Sequence, residues 1–168
     1  MKNTIKVFVL VALTLAAMSV SAQVKLGHIE TQKLIQAMPE WTAAQKTFEE
    51  EQKKVNTELN SLREQFQTKL AEYSEKMKTY SEAMRATTEE ELQGLQQRIQ
   101  RFQETAMAQL EKTQNDLMQP VMEKALNAIK EVGKENGFTY IFDMNAGILY
   151  AAENSQDVLP LVKKKLGL

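Results

Sequence analysis

The 168-residue sequence predicts an α+β fold, mostly α. A long antiparallel helical hairpin, a coiled-coil tentacle, projects from a small β head that completes its core by oligomerisation. Three observations predict it. An apolar seam at steps of three and four runs from Trp41 to Met84 and resumes from Leu92 to Val132. Short β-branched and aromatic runs, Val24 to Ile29 and Phe138 to Asp143, stand outside the seam at either end. The head these ends can build is about 50 residues, too small to be comfortably stable alone.

The chain opens with Lys2 and Lys6, then an apolar run from Val7 to Val20, then Val20-Ser21-Ala22 with small residues at −3 and −1 before Gln23. Residues 1–22 therefore read as a cleavable secretory signal peptide. The run is about 14 residues, short of the roughly 20 that a membrane span requires. Loss of Lys2 and Lys6 takes the net charge from −1 to −3. That balance opposes electrostatic binding of nucleic acid. The absence of Cys excludes disulfides, thiolate metal sites and thiol nucleophiles, and a single His excludes two-His zinc motifs.

Val24 to Ile29 alternates as a strand does. Thr31 is a plausible N-cap for a short helix, Gln32 to Ala37. Pro39 breaks the chain at Met38 and suits the first turn of a new helix. The first arm runs from Pro39 to about Arg85. Its 4+4 step through Leu62, Phe66 and Leu70 is a stutter that relaxes the supercoil. The seam pauses over 85–91, where Thr87 with Glu90, or Thr88 with Glu91, fits a capping box. The tip of the hairpin, residues 39–132, is therefore expected near 85–91. Pro120 should kink or locally break the return helix, and Asn136-Gly137 should stop it. Phe138 to Asp143 reads as a strand. Asn145-Ala146-Gly147 reads as a hairpin turn, with Ile148 to Ala152 as the strand that follows. Ser155 or Asp157 should cap a last helix, Val158 to Leu166, with Lys163, Lys164 and Lys165 near its end.

The head is thus residues 23–38 plus 133–168. Its strands present Val24, Leu26, Ile29, Phe138, Tyr140, Phe142, Leu149 and Tyr150, the residues expected to join heads into one core. Along the hairpin, Phe66, Tyr73 and Leu95 and the other seam residues are expected to pack helix on helix. Off-seam Ala71, Ala83 and Met107, and Met84 near the tip, are the candidates for contact with a bound client. Thioethers suit that role because they adapt to many partners. His28 reads as structural, Glu89 to Glu91 as a solvated helix start, and the lysine run as helix-end charge. No catalytic, metal or cofactor set emerges, and no Gly-rich phosphate loop is present.

With these residues in view, the chain resembles the Skp/OmpH family of periplasmic chaperones over its whole mature length. VKLGHIETQKLIQAMPEW is similar to the family's first strand, short helix and helix-opening proline. LMQPVMEKALNAIKEVGKENGFTYIFDMNAGILYAAENSQDVLPLVKKKL resembles its return helix, hairpin and closing helix, and is the more specific part. The resemblance implies a homotrimer whose strands assemble a β-barrel body, with three helical hairpins enclosing a cavity. It implies an ATP-independent holdase in the periplasm, whose clients are unfolded outer-membrane proteins, with no enzyme activity. Some members carry cationic tentacles linked to anionic lipid. From Arg63 to Glu104 this chain has seven Lys/Arg against eight Asp/Glu, so binding to a membrane surface is not carried over. A structural coiled-coil spacer or tether of the envelope is the competing reading.

Overall fold

The computed structural model describes residues 24–152 and 155–168; residues 1–22, expected to be a signal peptide, lie outside the described residues. The elements in order are β1 (Leu26–Ile29), α1 (Thr31–Gln36), α2 (Pro39–Lys76), α3 (Glu82–Glu135), β2 (Tyr140–Asp143), β3 (Gln156–Asp157) and α4 (Leu159–Leu166).

Two helices dominate. At 1.5 Å per residue, the 38 residues of α2 span about 57 Å and the 54 of α3 about 81 Å. Pro39 opens α2 after an extended Met38, as a proline at the first helical position should. α2 packs chiefly against α3. Their shared seam buries Ala44 and Leu62 from one side and Leu92 and Ala106 from the other. Glu40 pairs with Lys124 at the root, and the Tyr73 hydroxyl donates to Glu89 near the far end. Both pairs are centred on residues 81–82, which fixes where the chain must reverse.

The reversal accordingly occupies Met77–Ser81, not the expected 85–91. Thr79 and Tyr80 N–H both bond the Lys76 carbonyl, closing the turn. Ser81 is the N-cap of α3, its side chain accepting the Met84 N–H at 3.3 Å, with Glu82 in the first turn. Thr87 and Thr88 lie inside α3, and the Thr88 hydroxyl donates back to the Met84 carbonyl at 2.8 Å. The capping-box pattern there is real as a pattern, but the pairing of the arms overrides it.

α3 also continues through Pro120. Pro120 is exposed, so water can serve the carbonyl its missing N–H leaves free. Val121, Ala125, Ala128 and Val132, directly after it, are anchored in the core. The helix stops at Asn136-Gly137 as expected, Gly137 taking φ 67°.

The last turns of α3 enter the head. There they pack with Ile29, Leu34, Ile35, Met38, Val158 and Val162. The sheet has the order β2-β1-β3, with β1 in the centre and parallel to both neighbours. Leu26 pairs with Tyr140 and Ile29 with Asp143; on the other edge Gly27 pairs with Gln156 and His28 with Asp157. The chain's two ends are therefore stitched by backbone bonds around its first strand. The expected second strand, Ile148 to Ala152, does not form. β2, the hairpin partner it would have had, lies at the edge of the sheet, and among the described residues this segment joins no ladder.

α4 begins at Leu159. Its N-cap is Val158, neither of the two expected candidates, although Asp157, one residue earlier, accepts the Leu159 N–H at 2.8 Å. Gly167, at φ 74°, ends the helix in the left-handed conformation.

Candidate functional site

The head sheet has two unlike faces. Gly27 and Ile29 of β1 and Ile141 of β2 point toward the helices: Ile29 is fully buried, and the Ile141 side chain lies against Gly133 of α3. The alternate residues, Leu26, Tyr140 and Phe142, point away and are exposed, Tyr140 by 60 %. The Tyr140 and Phe142 rings stack with centroids 6.1 Å apart. Val24 is exposed as well, and beyond β2 so are Leu149, fully, and Tyr150.

Six of the eight expected association residues are therefore uncovered in the single chain. The other two are not. Ile29 belongs to the chain's own core, because the alternation of β1 turns it inward. Phe138 is half-buried, its ring beside Gly27 and the Lys25 ammonium 4.2 Å from its centroid.

The junction of sheet and helices rests on polar contacts that no short motif announces. The Asp143 carboxylate accepts the Thr31 N–H at the start of α1 (3.3 Å) and the Asn145 N–H (3.0 Å). Burial pushes its pKa up, but the hydrogen bonds from Asn145 and Thr31 outweigh this and hold it below the usual value. So Asp143 serves its own turn and also caps a helix 112 residues away. Thr31, the expected cap, is instead the first residue of α1. His28 Nδ1 lies 2.8 Å from the Ser155 hydroxyl. Lys165 bridges Glu131 at 3.1 Å and Glu135 at 2.6 Å, tying α4 to α3; the hydrogen bonds to Glu135 and Glu131 raise its pKa.

Two hollows mark the hairpin. At the root, a groove of about 150 Å³ is lined by Trp41, Ala44, Phe48, Leu117 and Met118, with Gln45 and Gln114 at its border. Near the tip, a cleft of about 310 Å³ lies among Lys69, Tyr73, Tyr80, Met84 and Glu91. It forms because Tyr80, in the turn, folds back to within 6.4 Å of Tyr73. Lys69 pairs with Glu91 across it, and the hydrogen bond to Glu91 raises the lysine pKa. The Tyr73 hydroxyl is likewise pushed up, first by its bond to Glu89 and then by burial.

The four candidate client-facing residues are all exposed but do not form one site. Met84 borders the tip cleft. Ala83 is beside it in the first turn of α3. Ala71 lies farther down α2, and Met107, 73 % exposed, is about halfway along α3. The hollows themselves depend on which seam positions are small or leave gaps, which periodicity alone does not resolve.

Comparisons with known proteins bear on the whole chain. No curated protein matches it. A chain from Caulobacter crescentus CB15, described as an OmpH-like outer membrane chaperone, superposes with a TM-score of 0.75 at 16 % identity. The match covers 84 % of this chain and 82 % of that one. The same architecture, a long hairpin on a small sheet, is thus held by very different sequences. The model of the family "Outer membrane protein (OmpH-like)" matches residues 25–166, from the first strand to the last helix, and the chain belongs to that family.

Proposed function

We propose that this protein is an ATP-independent holdase chaperone of the periplasm. It associates through its heads, as a trimer, and shelters unfolded outer-membrane proteins between its hairpins on their way to outer-membrane assembly. Membership of the OmpH-like family supports a chaperone role in general. The observation that carries the reading further is the hairpin itself. α2 spends its length on α3, and among the described residues neither long side of the pair has a further helix of the same chain packed along it.

The bare sheet face supports association. Leu26, Tyr140 and Phe142 form an exposed apolar patch with Val24, Leu149 and Tyr150 beside or after them. A patch of that composition marks an interface. The segment from Ile148 to Ala152, unpaired in one chain, has the residues of a strand and is available to a neighbour's sheet edge. Export rests on the tripartite N-terminus. The mechanism is steric and apolar: a client held among weak contacts is kept away from other unfolded chains.

The test is aggregation of a urea-unfolded β-barrel outer-membrane protein, diluted into buffer without nucleotide and followed by light scattering. Near-stoichiometric protein should suppress the scattering. No suppression at several-fold excess would sink the reading. Small-angle scattering of the free oligomer separates it from an envelope spacer: open arms give a wide, hollow particle, and a spacer gives a narrow solid rod.

A further inference from the structure

The two long sides of the hairpin differ in charge. In an antiparallel pair, residues that follow the seam positions of both helices fall on one side, and residues that precede them fall on the other. The cross-hairpin contacts fix this geometry. Glu40 and Lys124 precede Trp41 and Ala125, Lys69 and Glu91 precede Leu70 and Leu92, and each pair bonds across the hairpin. Gln45 and Gln114, which follow Ala44 and Thr113, both line the root groove.

The preceding side is charged. It carries Lys54, Glu58, Lys69 and Glu72 on α2, and Glu91, Arg98, Arg101, Lys112 and Asp116 on α3. The following side is not. On α3 it reads Gln93, Gln96, Gln100, Gln103, Met107, and after Glu111 continues through Gln114 to Met118, Met122 and Leu126. On α2 it includes Gln52, Asn56, Asn60, Gln67 and Ala71. Between Thr42 and Ser74, and between Gln93 and Leu126, its charges are Glu49, Arg63 and Glu111. Of these following-side residues, Gln103 and Met118 are half-buried and the others exposed.

We infer that this uncharged side is the client-bearing surface, and that it takes an unfolded polypeptide in extended form. The inference rests on the holdase reading and names the site within it. Each carboxamide offers both a donor and an acceptor, as does each unpaired peptide group of an unfolded chain. A row of them bonds backbone without regard to sequence. From Gln93 to Gln114 the row is about 32 Å long, room for roughly nine or ten extended residues. The root groove opens on the same side, and Trp41, Phe48, Leu117 and Met118 give it an apolar floor for one client side chain. Met107 and Met122 supply adaptable apolar contact along the way. A membrane surface needs a basic or strongly apolar face, and a second hairpin needs a continuous apolar seam. The stretch from Gln93 to Gln103 has neither.

The experiment uses the full mature chain. One variant carries Gln93→Glu, Gln96→Glu, Gln100→Glu and Gln103→Glu. The control adds the same charge to the opposite side through Ser61→Glu, Gln65→Glu, Thr105→Glu and Gln109→Glu. Circular dichroism and sedimentation confirm that both fold and assemble as the parent does, and a Gln→Ala set at the same four glutamines stands in if the first variant fails to fold. The readout is the Kd for a fluorescently labelled, urea-unfolded β-barrel outer-membrane protein. The first variant should bind about tenfold more weakly, which is about 1.4 kcal/mol, and the control should stay within about twofold. A photo-crosslinker at Gln100 should capture the client, and one at Arg98 should not. Equal losses in both variants, capture from Arg98, or capture at Gln100 of only another copy of this chain would overturn the inference while leaving the holdase reading intact. A parent protein that binds no client ends both.

Discussion

Gly27 sits in the central strand with no room for a side chain. A Cβ built there would lie 2.9 Å from Phe138 Cε1 and 2.9 Å from Val158 Cγ1. The Val158 side chain is fully buried, so it cannot swing aside, while Phe138 is half-buried and has some freedom. Gly27→Ala is therefore an overpacking substitution, and such changes cost about 1–3 kcal/mol. For a chain of this length that lowers Tm by roughly 3 °C per kcal/mol, about 3–9 °C in all. Val158→Ala alone removes two buried methyl groups and costs about 2 kcal/mol. In the double variant the space left by the valine receives the new methyl. The pair should then be less destabilised than the sum of the singles by about 1 kcal/mol or more. Urea unfolding followed by circular dichroism at fixed protomer concentration measures all four corners of the cycle; a fixed concentration keeps any contribution of association to apparent stability the same in each. A Gly27→Ala variant within about 0.3 kcal/mol of the parent, or a strictly additive cycle, would refute the claim that β1 is pinned between Phe138 and Val158.

Ser81→Ala removes the N-cap of α3 and should weaken the tip by about 1 kcal/mol. Hydrogen exchange should speed up over residues 77–88 with little change in the head. Gly94 lies in α3 and faces open space, with nothing within 4 Å of where a methyl would project. Gly94→Ala should therefore stabilise the hairpin by up to about 1 kcal/mol, read as a higher urea midpoint. Asp143 has a folded pKa below its unfolded one. Its contribution is thus complete above the unfolded value and is lost as pH falls through the folded value. Asp143→Asn should flatten that acid limb of the stability curve; an unchanged limb would remove Asp143 from its capping role.

The hairpin was legible because a seam of steps of three and four over more than ten turns has few other readings. Its tip was less so. Thr87 and Thr88 each precede a glutamate by three, a stronger local signal than Ser81 followed by Met84, yet the turn is set by the register of Glu40 with Lys124 and Tyr73 with Glu89. Local chemistry proposes a turn, and the length of the paired arms disposes of it. In the head, Phe138 to Asp143 was readable from its residues. Gln156 and Asp157 were not: two polar residues carry no strand pattern and become β3 because they lie along the backbone of His28. The antiparallel partner expected at Ile148 to Ala152 is the complementary case. Its residues suit a strand, yet among the described residues it does not take up the outer edge of β2. Of the expected association residues, Ile29 shows how a run that reads as uniformly apolar still divides by alternation once one face meets helices. The uneven charge of the hairpin's sides was open to the sequence as well, but only after the seam was fixed and both arms were laid antiparallel.

α3 has one further consequence. It crosses from tip to head as a single helix, and its first core residue within the head, Val121, lies 39 residues beyond Glu82. That separation is about 59 Å. The helix is therefore a lever whose short end is clamped among Ile29, Leu34 and Val162. A tilt of about 10° at the clamp carries the far end through about 10 Å. Repacking a few side chains around Val121 and Ala125 therefore swings the tip of the hairpin, so where the far end points is governed from the hub.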